Sequence, residues 1–218
     1  MVTASEIVAF SSSIYGTKFE KTPGAVNIVY LEGCTAADLT PNPDLPDLWN
    51  DTSSIIQFDA SGLAFFAHKA EATSEPGLSA TMSARSARLG GVFRIAIGFQ
   101  EEKWIKGFHK GDPLHPALVQ VAPITGHRDR NRDGKRTADP ITDDVRGLNH
   151  HGTRPGIRPV RVGGFSFACQ VRRMWEEHLQ FMALCDADPR YIDSKRFRYS
   201  STTVDHSNFW KWKSNQAV

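Results

Sequence analysis

The chain has 218 residues, of which 40% are hydrophobic and 23% charged, with a formal net charge of +2. This is the composition of an ordinary globular chain with enough length for one sizeable core, and its charge balance excludes a nucleic-acid binder driven by bulk charge. No apolar run approaches the roughly 20 residues that cross a bilayer, so no membrane span is expected, and residues 1–6 carry no basic-then-apolar leader.

The first two-thirds reads as short strands separated by turn residues. Residues 26–31 form a β-branched and aromatic run closed by Glu32-Gly33. Residues 55–58 and 63–68 flank Asp59-Ala60-Ser61-Gly62, a hairpin signal. Pro41, Pro43 and Pro46 place residues 40–47 in an irregular loop, because proline cannot donate to a ladder. Phe93, Ile95, Ile97 and Phe99 alternate with smaller or polar residues, which predicts one strand with those four side chains inward. Residues 118–121 predict a further strand.

From Thr125 to Pro159 the texture changes to Gly, Pro, Asp, Asn and Arg with few apolar anchors, so a long functional loop is expected. The clearest helix covers residues 173–187, with Trp175, Leu179 and Met182 on its apolar face beside His178 and Cys185. A late strand is predicted over 197–204. The final Phe209-Trp210-Lys211-Trp212-Lys213 fits packing on the domain, stacking on sugar rings, or fraying. The expectation is a mainly β fold, one domain over 1–218, with one or two helices packed on a sheet.

Cys34, Cys169 and Cys185 form an odd set without paired spacing, which argues against a disulfide framework. Cysteines of this kind are usually small buried hydrophobes, and Cys34 and Cys185 fit that description. Cys169 differs. It follows Gly163-Gly164-Phe165-Ser166-Phe167-Ala168, a small-residue approach suited to a substrate nearing the backbone, and Arg172 and Arg173 follow it. A cysteine nucleophile needs a nearby base, usually imidazole. His151 lies upstream, preceded by His150 and followed by Gly152-Thr153.

The order His151-Gly152-Thr153, then Ser166-Phe167-Ala168-Cys169 followed by Val171 and Arg172, resembles the L,D-transpeptidase (YkuD-like) catalytic domain. Glu71 to Gly77 resembles the threonine, proline and glycine segment of that fold, and Gly107-Phe108-His109 falls where the family has a glycine-histidine stretch. The resemblance implies a β-sandwich or barrel-like sheet with a catalytic core over about 73–190. It implies Cys169 as nucleophile, His151 as base, an orienting carbonyl close to Gly152, Ser166 as the family's serine, and the Ala168 and Cys169 N–H groups at the oxyanion hole. Arg172, His150, Thr153 and His109 are the substrate-binding candidates.

The implied partner is a peptidoglycan stem peptide, acted on through a Cys thioester by L,D-transpeptidation or L,D-carboxypeptidation, with no cofactor. The implied place is the cell envelope, periplasm or exterior. A phage or secreted cell-wall lytic enzyme on the same scaffold, or a catalytically weak cell-wall peptide-binding module, are the alternatives. Two departures stand out: Ala168 replaces the family's glycine, and Arg172 sits three places after the cysteine instead of two.

Two further patterns compete for attention. Asp129, Asn131, Asp133 and Gly134 spell the start of a calcium loop, but position twelve is Pro140 and arginines interleave, so a structural turn is the main expectation. His109, His115 and His127 match no compact zinc spacing, and no metal is expected. The basic runs at 128–136 and 154–173 fit either a solvated loop or an anionic ligand.

Overall fold

The computed structural model describes residues 2–136 and 138–216. Its first half contains α1 (Ala4–Tyr15), β1 (Asn27–Glu32), β2 (Asp51–Phe58), β3 (Ala64–Thr73), α2 (Leu78–Thr81), α3 (Ala84–Leu89), β4 (Val92–Ile95) and β5 (Gly98–Phe108). Then follow β6 (Pro116–Gln120), β7 (Ile124–Asp129), β8 (Ile141–Val145), β9 (His150–Gly152), β10 (Gln170–Arg172), α4 (Trp175–Ala187), α5 (Pro189–Asp193), β11 (Tyr199–Asp205) and α6 (His206–Gln216).

Eight strands close a barrel in the order β1-β11-β5-β6-β9-β10-β3-β2, and β4-β7-β8 form a separate sheet. The β1–β11 and β9–β10 pairs are parallel and the other barrel pairs antiparallel. The predicted β2–β3 hairpin is present. Asp59 Oδ1 accepts the Ser61 and Leu63 amides at 2.8 and 3.0 Å, and Gly62 supplies the left-handed residue at φ 83°.

Every residue of β1 is buried because both faces of the strand are covered. Ile28 and Tyr30 face one core with Ile55, Trp104, Leu118, Phe181 and Met182. Val29 and Leu31 face a second, with Ile7, Phe10 and Phe209 from α1 and α6. The Phe10 ring meets those of Phe209 and Trp212 edge-on at 5.4 and 5.6 Å, so the C-terminal aromatic run packs on the domain.

The mainly β expectation holds, but the described residues contain six α-helices where one or two were expected. The first, α1, is opened by a capping box between Thr3 and Glu6 and closed by Gly16 at φ 64°. The 92–99 strand is two strands in different sheets, broken at Ala96-Ile97. Of the four side chains expected inward, Ile95 is fully buried in the core while Phe93, Ile97 and Phe99 are only partly buried. Arg94 and Gln100 are buried, Arg94 because its guanidinium pairs with Glu75 at 2.5 Å.

Three strands cross the expected 125–159 loop. On α4 the buried face is Trp175, His178, Phe181, Met182 and Cys185, with Leu179 turned outward. Barrel closure also draws on β1, β2 and β11, outside the expected 73–190 core.

The Asp129-Asn131-Asp133 segment is a turn. Asp129 Oδ2 accepts the Gly134 amide at 3.1 Å, Asn131 Oδ1 accepts that of Asp133 at 3.2 Å, and Asp133 Oδ1 that of Lys135 at 2.8 Å. Beyond it, Arg136 reaches back to the end of β1, where both its Nη atoms pair with Glu32, and its Nη1 lies 3.3 Å from Glu75.

Ser74 Oγ sits 2.7 Å from Glu32 Oε1 and 2.8 Å from Asp51 Oδ2. One hydroxyl has one proton, so a proton on a carboxyl completes this pair of contacts. Burial raises the pKa of both acids, and burial with Glu32 and Glu75 pushes nearby Asp44 up to about 7. A carboxyl raised in the folded state lends stability that is complete below its unfolded pKa of about 3.9 and is lost as pH rises through the folded value. The melting temperature should therefore fall from pH 5 to pH 8, and Asp44→Asn should flatten part of that fall. Parallel curves for the two proteins in calorimetry would refute the assignment.

Candidate active site

The parallel β9–β10 pair sets His151 opposite Val171 and Gly152 opposite Arg172. Strand alternation then divides the candidates between two sides. Cys169, Val171 and His151 face the loops outside the barrel. His150, Gln170 and Arg172 point into it. Cys169 packs there with Trp49, Val162, Val171 and Phe165.

One ligand atom each from His109, His151 and Cys169 lies within 4.8 Å of the others. His109 and His115 come from the tip joining β5 to β6, where the His109 amide donates to the His115 carbonyl at 2.8 Å. The rings of His109 and His151 overlap, with centroids 3.9 Å apart and planes inclined by 32°.

The partners of each imidazole fix its tautomer. The Gly152 carbonyl only accepts, and it lies 2.7 Å from His151 Nδ1 and 3.1 Å from His115 Nε2. Both nitrogens therefore carry hydrogen. His151 is left with a lone pair on Nε2, an atom that is buried with no hydrogen-bond partner among the described residues. That is the form a general base requires. The sequence-predicted orienting carbonyl is thus Gly152's own. A Cβ on Gly152 would come within 2.7 Å of the His178 Cβ, so α4 presses directly on the peptide that bears it.

Cys169 Sγ receives the Asn149 amide at 3.4 Å and donates to the Gly147 carbonyl at 3.6 Å. Burial raises the thiol pKa, against smaller lowering by the Asn149 amide and Lys110. Burial, with His109, also holds His151 well below the ordinary imidazole range. The resting pair is therefore neutral thiol and neutral imidazole, not thiolate and imidazolium.

Ser166 Oγ donates to the Cys169 carbonyl at 2.7 Å, and the Ser166 carbonyl accepts the Gly77 amide at 3.0 Å. Gly77 has no room for a side chain, since a Cβ would overlap the Gly163 carbonyl. Asp47 Oδ1 ties this loop down by accepting the amides of Leu78 and Gly163 at 2.9 and 2.7 Å. Ala168 lies outside the positive-φ residues, so alanine in place of glycine is not strained there.

Other predicted residues serve the framework. Arg172 is fully buried inside the barrel, 3.2 Å above the Phe181 ring, with its Nη1 3.5 Å from His178 Nδ1. It is not brought to the thiol. His150 is held between Tyr30 and Trp104, with ring centroids at 5.5 and 4.4 Å. Thr153 Oγ1 donates to the Arg173 carbonyl at 2.7 Å. Arg173 pairs with Glu71 at 3.2 Å. His127 sits in β7, in the other sheet.

Sequence reasoning missed Asn149 and Trp49, and considered His115 only as a zinc candidate. Trp49 joins the apolar cluster around Cys169 and also lines a cleft of about 310 Å³ with Leu45, Leu48, Val160 and Arg173. No side-chain periodicity marks these three, since strand pairing and loop folding bring them in. No family model, curated protein or solved structure matches the chain.

Two outcomes follow from this geometry. Iodoacetamide should modify Cys169 slowly at pH 7 and progressively faster toward pH 9 and above, the ordinary thiol value being about 8.5. A rate plateau reaching down to pH 5 would instead reveal a thiolate–imidazolium pair. Gly152→Ala should keep the fold by circular dichroism while slowing any chemistry at Cys169 about a hundredfold, because a displacement near 1 Å shifts the His151 imidazole relative to the sulfur.

Proposed function

We propose that this chain is a cysteine acyltransferase of the L,D-transpeptidase or L,D-carboxypeptidase kind, acting on peptidoglycan stem peptides in the cell envelope or outside the cell. The observation that carries the chemistry is the His151 ring, tied through Nδ1–H to the Gly152 carbonyl, with Nε2 lacking a hydrogen-bond partner among the described residues and one ring nitrogen within 4.8 Å of the Cys169 sulfur. The substrate class comes from the resemblance of His151-Gly152-Thr153 and Ser166-Phe167-Ala168-Cys169 to the L,D-transpeptidase motif.

In this reading the Cys169 proton passes to His151 Nε2 as sulfur bonds to the carbonyl carbon of an L,D peptide bond. The carbonyl π pair moves onto oxygen. Collapse restores the C=O, breaks the C–N bond, and D-alanine leaves with the proton from His151. The Ala168 and Cys169 amides take the oxyanion-hole place that the resemblance assigns them. An amine then takes the acyl group to give a crosslink, or water takes it to give hydrolysis, as in a phage or secreted lytic enzyme. The sulfur recovers its proton in either case.

One observation favours a second reading. Cys169 is only 7% exposed and its thiol pKa is raised, as suits a peptide-binding module with weak turnover. A carbapenem separates the readings. Acyltransfer predicts a stoichiometric covalent adduct by intact-mass spectrometry on the wild type and none on Cys169→Ala. Equal adducts on both, or none on either beside stem-peptide binding in calorimetry, would sink the acyltransferase assignment.

A further inference from the structure

We propose that His109 is a second catalytic histidine, a neutral hydrogen-bond donor to the acyl oxygen, and that Asn149 is the positioning residue that holds it in the donor form. This rests on the acyl-transfer reading and adds to it a group that the Cys169–His151–Gly152 set does not contain.

The argument begins with the Asn149 amide. Its Oδ1 accepts the Gln120 backbone N–H at 3.0 Å, which orients the group unambiguously, because a flipped amide would set two donors face to face. Nδ2 is thereby turned toward His109, where it lies 3.3 Å from Nδ1. His109 Nδ1 must accept, so the hydrogen of the neutral ring sits on Nε2.

The backbone of Asn149 is fixed as firmly. Its N–H donates to Cys169 Sγ at 3.4 Å and its carbonyl accepts the Gln170 amide at 3.0 Å. One residue therefore registers the sulfur, the strand that follows it and the His109 tautomer together.

The two overlapping rings are opposite in kind. His151 keeps its hydrogen on Nδ1 and offers a lone pair. His109 keeps its hydrogen on Nε2 and offers a donor. One ring nitrogen of each histidine lies within 4.8 Å of sulfur, and a base beside a donor matches the needs of acyl transfer, in which one group takes the thiol proton and another steadies the negative oxygen. His109 gives up no proton in this role. The electron pair arriving on oxygen accepts its N–H and later returns to the carbonyl.

The same donor set weighs against a cation shared by His109, His151 and Cys169. Ligation through His109 Nε2 would place the hydrogen on Nδ1, opposite the Asn149 N–H. The charged or titratable groups facing His109 are His115, Lys110, His151 and Cys169. Burial, His115 and Lys110 hold it down to about 4, so it stays neutral in the working range.

Asn149→Asp provides the test. Aspartate keeps an acceptor for Gln120 N–H but presents a carboxylate to His109, drawing the hydrogen to Nδ1 and raising the imidazole pKa. Nitrogen-15 NMR of the full chain should show Nε2–H for His109 in the wild type and Nδ1–H in Asn149→Asp at pH 8. Carbapenem acylation of the variant should fall about a hundredfold at pH 8, the usual cost of one oxyanion donor. It should recover as the pH is lowered and the imidazolium regains Nε2–H, a recovery the wild type does not show.

His109→Gln, which retains an N–H donor, should keep most of the rate, while His109→Leu should lose about a hundredfold. An Nδ1–H signal in the wild type, or His109→Leu acylating like the wild type, overturns the proposal. Absence of any wild-type adduct with the Nε2–H signal intact counts instead against acyl transfer, and takes the catalytic role of His109 with it.

Discussion

The candidate site depends on one backbone oxygen. The Gly152 carbonyl accepts hydrogen from His151 Nδ1 and from His115 Nε2, so both its lone-pair directions are used. That arrangement decides which nitrogen of His151 is free, and hence whether the ring can act as a base toward Cys169. In many cysteine and serine hydrolases a carboxylate does this work and also stabilises the imidazolium electrostatically. A carbonyl orients without adding a full negative charge. This agrees with the neutral thiol–imidazole resting pair.

Holding that carbonyl in place is a matter of the whole fold. The β9–β10 register sets Gly152 against Arg172, and α4 closes on Gly152 from behind through His178. The His178 Nε2 in turn faces the Pro116 carbonyl at 2.7 Å, tying α4 to the β6 strand that follows the histidine tip. The tip and the β9 and β10 strands are thereby braced by one helix. The Glu32–Asp51–Ser74–Arg136 network secures the opposite approach, because Asp51 also accepts the Gly33 amide at 3.0 Å at the start of the loop that carries Asp47 and Trp49.

Cys169, His151, Gly152 and Ser166 were legible in the sequence because each belongs to a short local pattern. The β2–β3 hairpin and α4 were legible for the same reason. Asn149, His115 and Trp49 were not, since their value comes from strand pairing across distant segments. The 92–99 stretch misled for a physical reason: hydrophobic alternation assumes that charge stays outside, and Arg94 is buried by its pairing with Glu75. The barrel-facing identity of Arg172 and His150 follows from the two-residue period of a strand, but only once β9 and β10 are known to be strands. The first helix carries a clear capping box in Thr3 and Glu6, a signal the sequence itself holds.

Arg172 deserves a wider reading than its distance from the thiol suggests. Its guanidinium is enclosed by aromatic rings, and Nε and Nη2 have no hydrogen-bond partner among the described residues. Burial holds His68 down to about 4 and His178 down to about 3, and this positive charge adds to both by opposing a second one on the neighbouring imidazoles. Near the acidic network at the other end of β1, Asp44 titrates near neutrality. Proton exchange near neutrality is thereby open to Asp44, while burial holds His68 and His109 down to about 4 and His178 down to about 3.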